Sequence, residues 1–126
     1  ALAFQGLVVI PLFCGYDKAT NTGRLFSFDV VGGRYDELNY ATTGSGGAEA
    51  RSFLKNAWHE DMSKEAALGA AVEALISAAE EDTATGGPDL KRGIFPNVLV
   101  VTSDGVEEIE DDALAAIAAP ILEDRP

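Results

Sequence analysis

The chain has 126 residues, 47% of them hydrophobic, with 9 basic against 21 acidic side chains. That length and apolar content predict one compact domain rather than a disordered chain. A net charge of −12 disfavours nucleic acid and anionic membrane surfaces as partners, because both require clustered Lys and Arg.

The acid is uneven: residues 1–60 hold 5 basic and 6 acidic groups, whereas residues 61–126 hold 4 and 15, so the second half supplies a solvated face. Cys14 is the single cysteine, and its apolar flanks predict a small buried thiol in a reducing compartment. No apolar run reaches the roughly 20 residues of a bilayer span, and the start lacks the basic region of a signal peptide, which predicts a cytoplasmic location. The chain opens Ala1-Leu2-Ala3-Phe4-Gln5 with apolar residues already running, which reads as entry into the middle of a larger subunit.

Residues 7–14 form a β-favouring apolar run, broken by Gly15 and the polar stretch Asp17–Gly23, and predict a strand followed by a turn. From Arg24 to Val31 the residues alternate, with Phe26, Phe28 and Val30 on one face, before Gly32-Gly33 ends the run. This predicts a half-buried strand paired with the first as an antiparallel hairpin. A third short strand is predicted at Leu38–Thr43, ahead of Gly44-Ser45-Gly46-Gly47. Residues 48–58 fit an amphipathic helix through the spacing of Leu54 with Trp58 and Phe53 with Ala57. Ser63 is the predicted N-cap of the next helix, in which Leu68, Val72, Leu75 and Ala79 form a narrow, alanine-rich inner face up to Glu80-Glu81-Asp82. After a loop, Asn97–Ser103 predicts a strand, Asp104-Gly105 a turn and Val106–Ile109 a returning strand. Asp111 and Asp112 open a last helix with Leu114, Ile117 and Ile121 inward, which Pro120 should kink or end.

Strands, two helices, two strands and a helix define an α+β class with antiparallel pairing rather than a doubly wound parallel sheet. The helices should cover one sheet face. Phe13, Phe26, Phe28 and residues 98–101 offer more apolar area than three modest helices hide, so a second covering layer from elsewhere is implied.

Metal chemistry has little support: His59 is the only histidine and reads as a solvated helix end, and neither it nor Cys14 has a partner at ligand spacing. Asp17–Asn21 fails the calcium-loop pattern, with Ala19 where an oxygen is needed and Thr22 where Gly is required. Thr42–Gly47 lacks the Lys-Ser/Thr of a phosphate loop and, with Thr43, the first Gly of a hydrolase elbow. No cofactor follows. Two polar clusters remain. Ser45, between glycines at a helix entrance, reads either as a cap or as part of a site favouring an anion. Asp82 stands at a helix C-terminus, where the dipole disfavours negative charge, with the Thr85 hydroxyl three residues on. Such an Asp commonly bonds its own loop, and both readings stay open.

Phe4-Gln5-Gly6 through Gly15-Tyr16-Asp17, then Gly23-Arg24-Leu25-Phe26-Ser27-Phe28-Asp29, Gly44-Ser45-Gly46 and above all Asp82-Thr83-Ala84-Thr85-Gly86-Gly87-Pro88-Asp89-Leu90-Lys91-Arg92-Gly93-Ile94-Phe95-Pro96 resemble the C-terminal part of an actinobacterial-type 20S proteasome β subunit. The resemblance runs in order over essentially all of residues 1–126, which it implies are the C-terminal portion of a single β-type domain. It implies a four-layer αββα sandwich of the N-terminal nucleophile hydrolase type. In that family an N-terminal threonine attacks the peptide carbonyl while its own α-amine, titrating near pH ~8, or a water it holds, takes the proton. The chain begins with Ala1, so the threonine, its lysine and the aspartate paired with that lysine are expected in a preceding half.

Carried over by the resemblance, Ser45 matches the serine of the Gly-Ser-Gly turn near the threonine's amine, Asp82 the acid of the Asp-x-x-Ser/Thr-Gly motif, and Thr85 its hydroxyl. Their implied role is a supporting network that orients the amine and relays its proton. The usual Gly-Ser-Gly-Ser is here Gly-Ser-Gly-Gly, so position 47 lacks the second hydroxyl. The implied function is part of a threonine-type endopeptidase of a self-compartmentalising particle, inactive as this segment alone. Its partners would be α and β subunits in seven-membered rings, an ATPase ring and unfolded or tagged polypeptide substrates. The alternative is a noncatalytic structural or remnant subunit.

Overall fold

A computed structural model of the chain describes residues 10–125. Residues 7–9 of the first predicted strand, and the Phe4-Gln5-Gly6 motif, lie outside the described residues. The elements are β1 (Leu12–Asp17), β2 (Thr22–Phe28), β3 (Arg34–Glu37), α1 (Gly47–Ala57), α2 (Lys64–Glu81), β4 (Leu99–Thr102), β5 (Gly105–Glu108) and α3 (Asp111–Glu123). They form a three-stranded antiparallel sheet in the order β1-β2-β3 and a two-stranded β4-β5 sheet, so the class is mixed α+β.

The β1–β2 hairpin pairs Leu12 with Ser27 through to Asp17 with Thr22. Gly15 does not break it, because the turn lies further on: Asp17 Oδ1 accepts the Ala19 N–H at 2.9 Å, and Asn21 takes the left-handed conformation at φ 55°. β2 stops at Phe28, short of the predicted Val31, because Asp29 closes a turn. Its Oδ1 accepts N–H groups from Val31 at 3.1 Å and Gly33 at 2.7 Å, and its Oδ2 accepts the Tyr35 hydroxyl at 2.6 Å. Pairing therefore resumes at Arg34, and the third strand is Arg34–Glu37 rather than Leu38–Thr43. Leu38, at the start of the predicted strand, is 92% exposed.

Ser63 caps α2, its hydroxyl accepting the Ala66 N–H at 3.1 Å. The helix is buried on two faces rather than along the predicted single stripe. Val72 and Ile76 pack with Leu114 and Ala118 of α3, extended by Phe95, Val98 and Ile117. Ala74 and Ala78 pack with Ala50 of α1, beside Phe53 and Leu54. Leu75 lies between these faces and is 37% exposed. Pro120 does not end α3, which runs to Glu123. Its ring removes one N–H···O bond, but Ile117, Ile121 and Leu122 pack on the core around it, and Arg125 ties the end of the helix to Glu73, Ser77 and Glu80 of α2.

The helices α1 and α2 cover the sheet face carrying Leu12 and Leu25 only at a distance. An apolar cavity of about 470 Å³ separates them, lined by Leu12, Leu25, Leu54, Trp58, Met62 and Leu75 among others. Cys14 shares that face and, contrary to the buried thiol predicted, is exposed, because no described residue closes on β1 there. The opposite face is open too, with Phe13 63% exposed, and Leu99 and Val106 of the second sheet are 61% and 67% exposed. No helix among the described residues is long and apolar enough to cross a membrane.

Two outcomes are expected. In urea titrations at fixed protein concentration, Leu114→Ala, which empties a fully buried position, lowers stability by about 3 kcal/mol, whereas Leu75→Ala, beside the open cavity, costs under about 1 kcal/mol. With this much apolar surface uncovered, light scattering after size-exclusion chromatography shows the 126-residue polypeptide self-associating rather than running as a monodisperse monomer.

Candidate functional site

The segment between β3 and α1 is pinned at several points before it reaches Ser45. The Tyr40 ring lies 6.3 Å from that of Trp58 at the end of α1. Thr43 Oγ1 donates to the Ile10 carbonyl at 3.0 Å, and Thr42 Oγ1 to the Gly47 carbonyl at 2.7 Å. The chain then reverses through Gly44, whose φ of 92° only glycine adopts readily, and the Gly47 N–H donates to the Gly44 carbonyl at 3.0 Å. Ser45 is exposed at the tip of this turn, immediately before the buried Gly46 and Gly47.

Asp82 is the C-cap of α2, its N–H donating to the Ala78 carbonyl at 2.9 Å. The chain bends back at once, with the Thr85 N–H donating to the Asp82 carbonyl at 3.1 Å. The carboxylate is divided between two tasks. Oδ1 accepts the Ala84 N–H at 3.2 Å, and Oδ2 accepts the Thr85 hydroxyl at 2.6 Å. The two readings of Asp82 are thus compatible: it bonds its own loop, and that bonding aims its second oxygen.

Ser45, Asp82 and Thr85 come together where the head of α1 meets the tail of α2, drawn there by the Ala50, Ala74 and Ala78 contact. The Asp82 carboxyl is held below the usual carboxylate range, first by the Ser45 hydroxyl, then by the Thr85 hydroxyl and the Ala84 N–H, against a smaller opposing effect of desolvation. These donors outweigh the unfavourable helix dipole at this end. The result is an ionised acceptor flanked by two hydroxyls, fit to orient a cationic or hydrogen-bond-donating group and to pass protons. His59 stands apart at the end of α1, exposed, with Nδ1 on the Glu60 carbonyl at 2.9 Å. Reading the sequence missed the contribution of Gly46 and Ala78, which lie against the cluster. The signal available was the alanine-rich face of α2.

Comparison with known proteins adds to this geometry. The profile of a family described as proteasome subunit matches residues 3–89, a span containing Ser45, Asp82 and Thr85. A proteasome subunit beta of Streptomyces griseus subsp. griseus is 50% identical over 125 residues, covering 99% of this chain and 44% of that protein. One from Acidimicrobium ferrooxidans is 51% identical over 120 residues, covering 95% and 44%, and one from Frankia casuarinae is 44% identical over 124 residues, covering 98% and 45%. The chain thus spans less than half the length of the curated relatives it matches. With the match extending over residues 3–89 and identity near half along almost the whole chain, the protein belongs to the proteasome subunit family.

Proposed function

We propose that residues 1–126 are the C-terminal portion of a β-type domain of a threonine endopeptidase, and that Ser45, Asp82 and Thr85 orient the amine of an N-terminal threonine carried by the preceding half. The observation that carries this reading is the Thr85 hydroxyl on Asp82 Oδ2 at 2.6 Å, with Gly46, the neighbour of Ser45, set against both. In the proposed reaction the threonine hydroxyl attacks the peptide carbonyl, and the free α-amine accepts its proton. That proton then passes to the departing amine as the C–N bond breaks, and water hydrolyses the resulting ester. Asp82 accepts a hydrogen bond from the amine, while Ser45 and Thr85 connect the two.

The finer fold belongs to the same proposal: a four-layer αββα sandwich in which strands of the preceding half occupy the 470 Å³ gap between the β1-β2-β3 sheet and the α1–α2 layer. An uncovered apolar gap between a sheet and its helices is where apolar side chains of further strands can pack. In the cell the subunit would work in the cytoplasm, in seven-membered β rings stacked with α rings and fed by an ATPase ring with unfolded or tagged polypeptides.

The test is kinetic, on the full-length assembled subunit with a fluorogenic peptide. Asp82→Asn should lower kcat about 100-fold or more, with KM changed less than about threefold, because an orienting group acts on the reaction and not on substrate binding. Removing a negative charge beside the amine lowers the amine's pKa, so the acid limb of kcat/KM moves to lower pH. Asp82 itself does not form that limb. Its lowered pKa keeps it ionised through the neutral range, and its stabilising bonds are lost only as pH falls through that lowered value. Equal losses in kcat and substrate affinity, or an unchanged rate, would refute the orienting role, and absence of turnover by the parent full-length subunit would favour the noncatalytic structural subunit. The purified 126-residue polypeptide is expected to show no turnover, and measurable hydrolysis by it would refute the placement of the nucleophile in the other half.

A further inference from the structure

Gly46 presents a puzzle that its backbone does not solve. Its φ of −91° and ψ of 8° are open to residues with side chains, unlike the φ of 92° at Gly44. As the N-cap of α1 it also leaves the helix without a side-chain cap, in a position where Ser, Thr, Asp or Asn would stabilise it by about 1 kcal/mol. The reason for glycine lies in what surrounds it. A β-carbon at Gly46 would stand 2.6 Å from Thr85 Oγ1, 3.0 Å from the Ala78 β-carbon and 3.5 Å from Asp82 Oδ2. The first distance is far inside van der Waals contact. It falls on the hydroxyl that donates to Asp82 Oδ2 at 2.6 Å. The neighbouring Gly47 differs: a β-carbon there would meet Thr42 Oγ1 at an ordinary 3.6 Å.

We infer that Gly46 is a positioning residue for the proposed peptidase site: its missing side chain lets the head of α1 close on the Asp82–Thr85 pair, holding the Thr85 hydroxyl on the carboxylate and Ser45 beside it. The inference rests on the proposed role of Asp82, because the tightest of the three contacts falls on the hydroxyl that serves it. Three paths relieve the crowding of an added methyl. Thr85 rotates away and Asp82 Oδ2 loses its donor, α1 lifts and carries Ser45 with it, or the Ala78 contact opens. The closest contact, at 2.6 Å, makes the first path dominant. Ala78 is 2% exposed and has little room to move.

The experiment uses the full-length assembled subunit, a fluorogenic peptide and light scattering to follow assembly. Gly46→Ala should lower kcat at least about tenfold with KM changed less than about twofold, since a displacement of about 1 Å in a supporting group is costly to turnover. Gly47→Ala should leave kcat at the parent value. The decisive step is the double variant. In a Thr85→Ala background, Gly46→Ala should cost no further activity, because the atom it strikes is gone, whereas in an Ala78→Gly background it should keep its full effect. If Gly46→Ala fails to assemble, recovery of assembly by Thr85→Ala, with no recovery by Ala78→Gly, supports the inference equally. Rescue by Ala78→Gly and not by Thr85→Ala, or equal losses from Gly46→Ala and Gly47→Ala, would overturn it by reducing Gly46 to a packing residue. A harmless Gly46→Ala alongside a damaging Asp82→Asn overturns this inference alone, and a harmless Asp82→Asn overturns the functional reading beneath it.

Discussion

The close crossing of α1 and α2 is the constraint on which the rest of the described structure depends. Ala50, Ala74 and Ala78 are buried at 7%, 3% and 2% exposure, and Gly46 continues their line to the head of α1. None of these side chains buries much area. Their contribution is that the two helices come close enough for many small dispersion contacts to form at once. The same closeness brings the turn at Ser45 within reach of the tail of α2, so the contact that holds the helices together also assembles the polar cluster. Packing and chemistry here share one cause.

The remainder of the molecule shows the opposite condition, with apolar surface that nothing among the described residues covers. Phe13 and Val31 stand 63% and 87% exposed, and the cavity beneath the sheet is lined by leucines, Trp58 and Met62. The chain spans under half of its relatives' length, and in the proposed sandwich these surfaces would face further layers. Ionic interactions fill little of the gap. Among the described pairs, Lys64 with Glu107 and Arg24 with Asp36 are each about half exposed and contribute little. Arg125 is better sheltered at 27% exposure and holds α3 against two carboxylates of α2.

Helix ends were legible because they are local. Ser63 declared its capping role through one hydroxyl and the helix that follows it, and Asp82 marked the end of α2. The hairpins were legible in kind but not in register. Turns closed by the carboxylates of Asp17 and Asp29 shifted the strand boundaries, and the apolar pattern carries no trace of those bonds. The exposed Cys14 and the two-sided burial of α2 were misread for a common reason: hydrophobicity says that a residue seeks cover, not whether a partner is present to give it.

By itself the sequence determined part of the local chemistry: that Ser63 begins α2 and Asp82 closes it, and that Ser45, Asp82 and Thr85 bring hydroxyl and carboxylate groups in two short motifs. Local rules suffice there because each involves atoms a few bonds apart along the chain. Only the tertiary structure decided that the Ser45 turn rests against Asp82, that Gly46 must be bare to permit it, and that the sheet stands off from its helices. Those facts depend on distances between segments remote in sequence, set by how closely alanine-lined helices approach, and such distances have no signature in the order of residues alone.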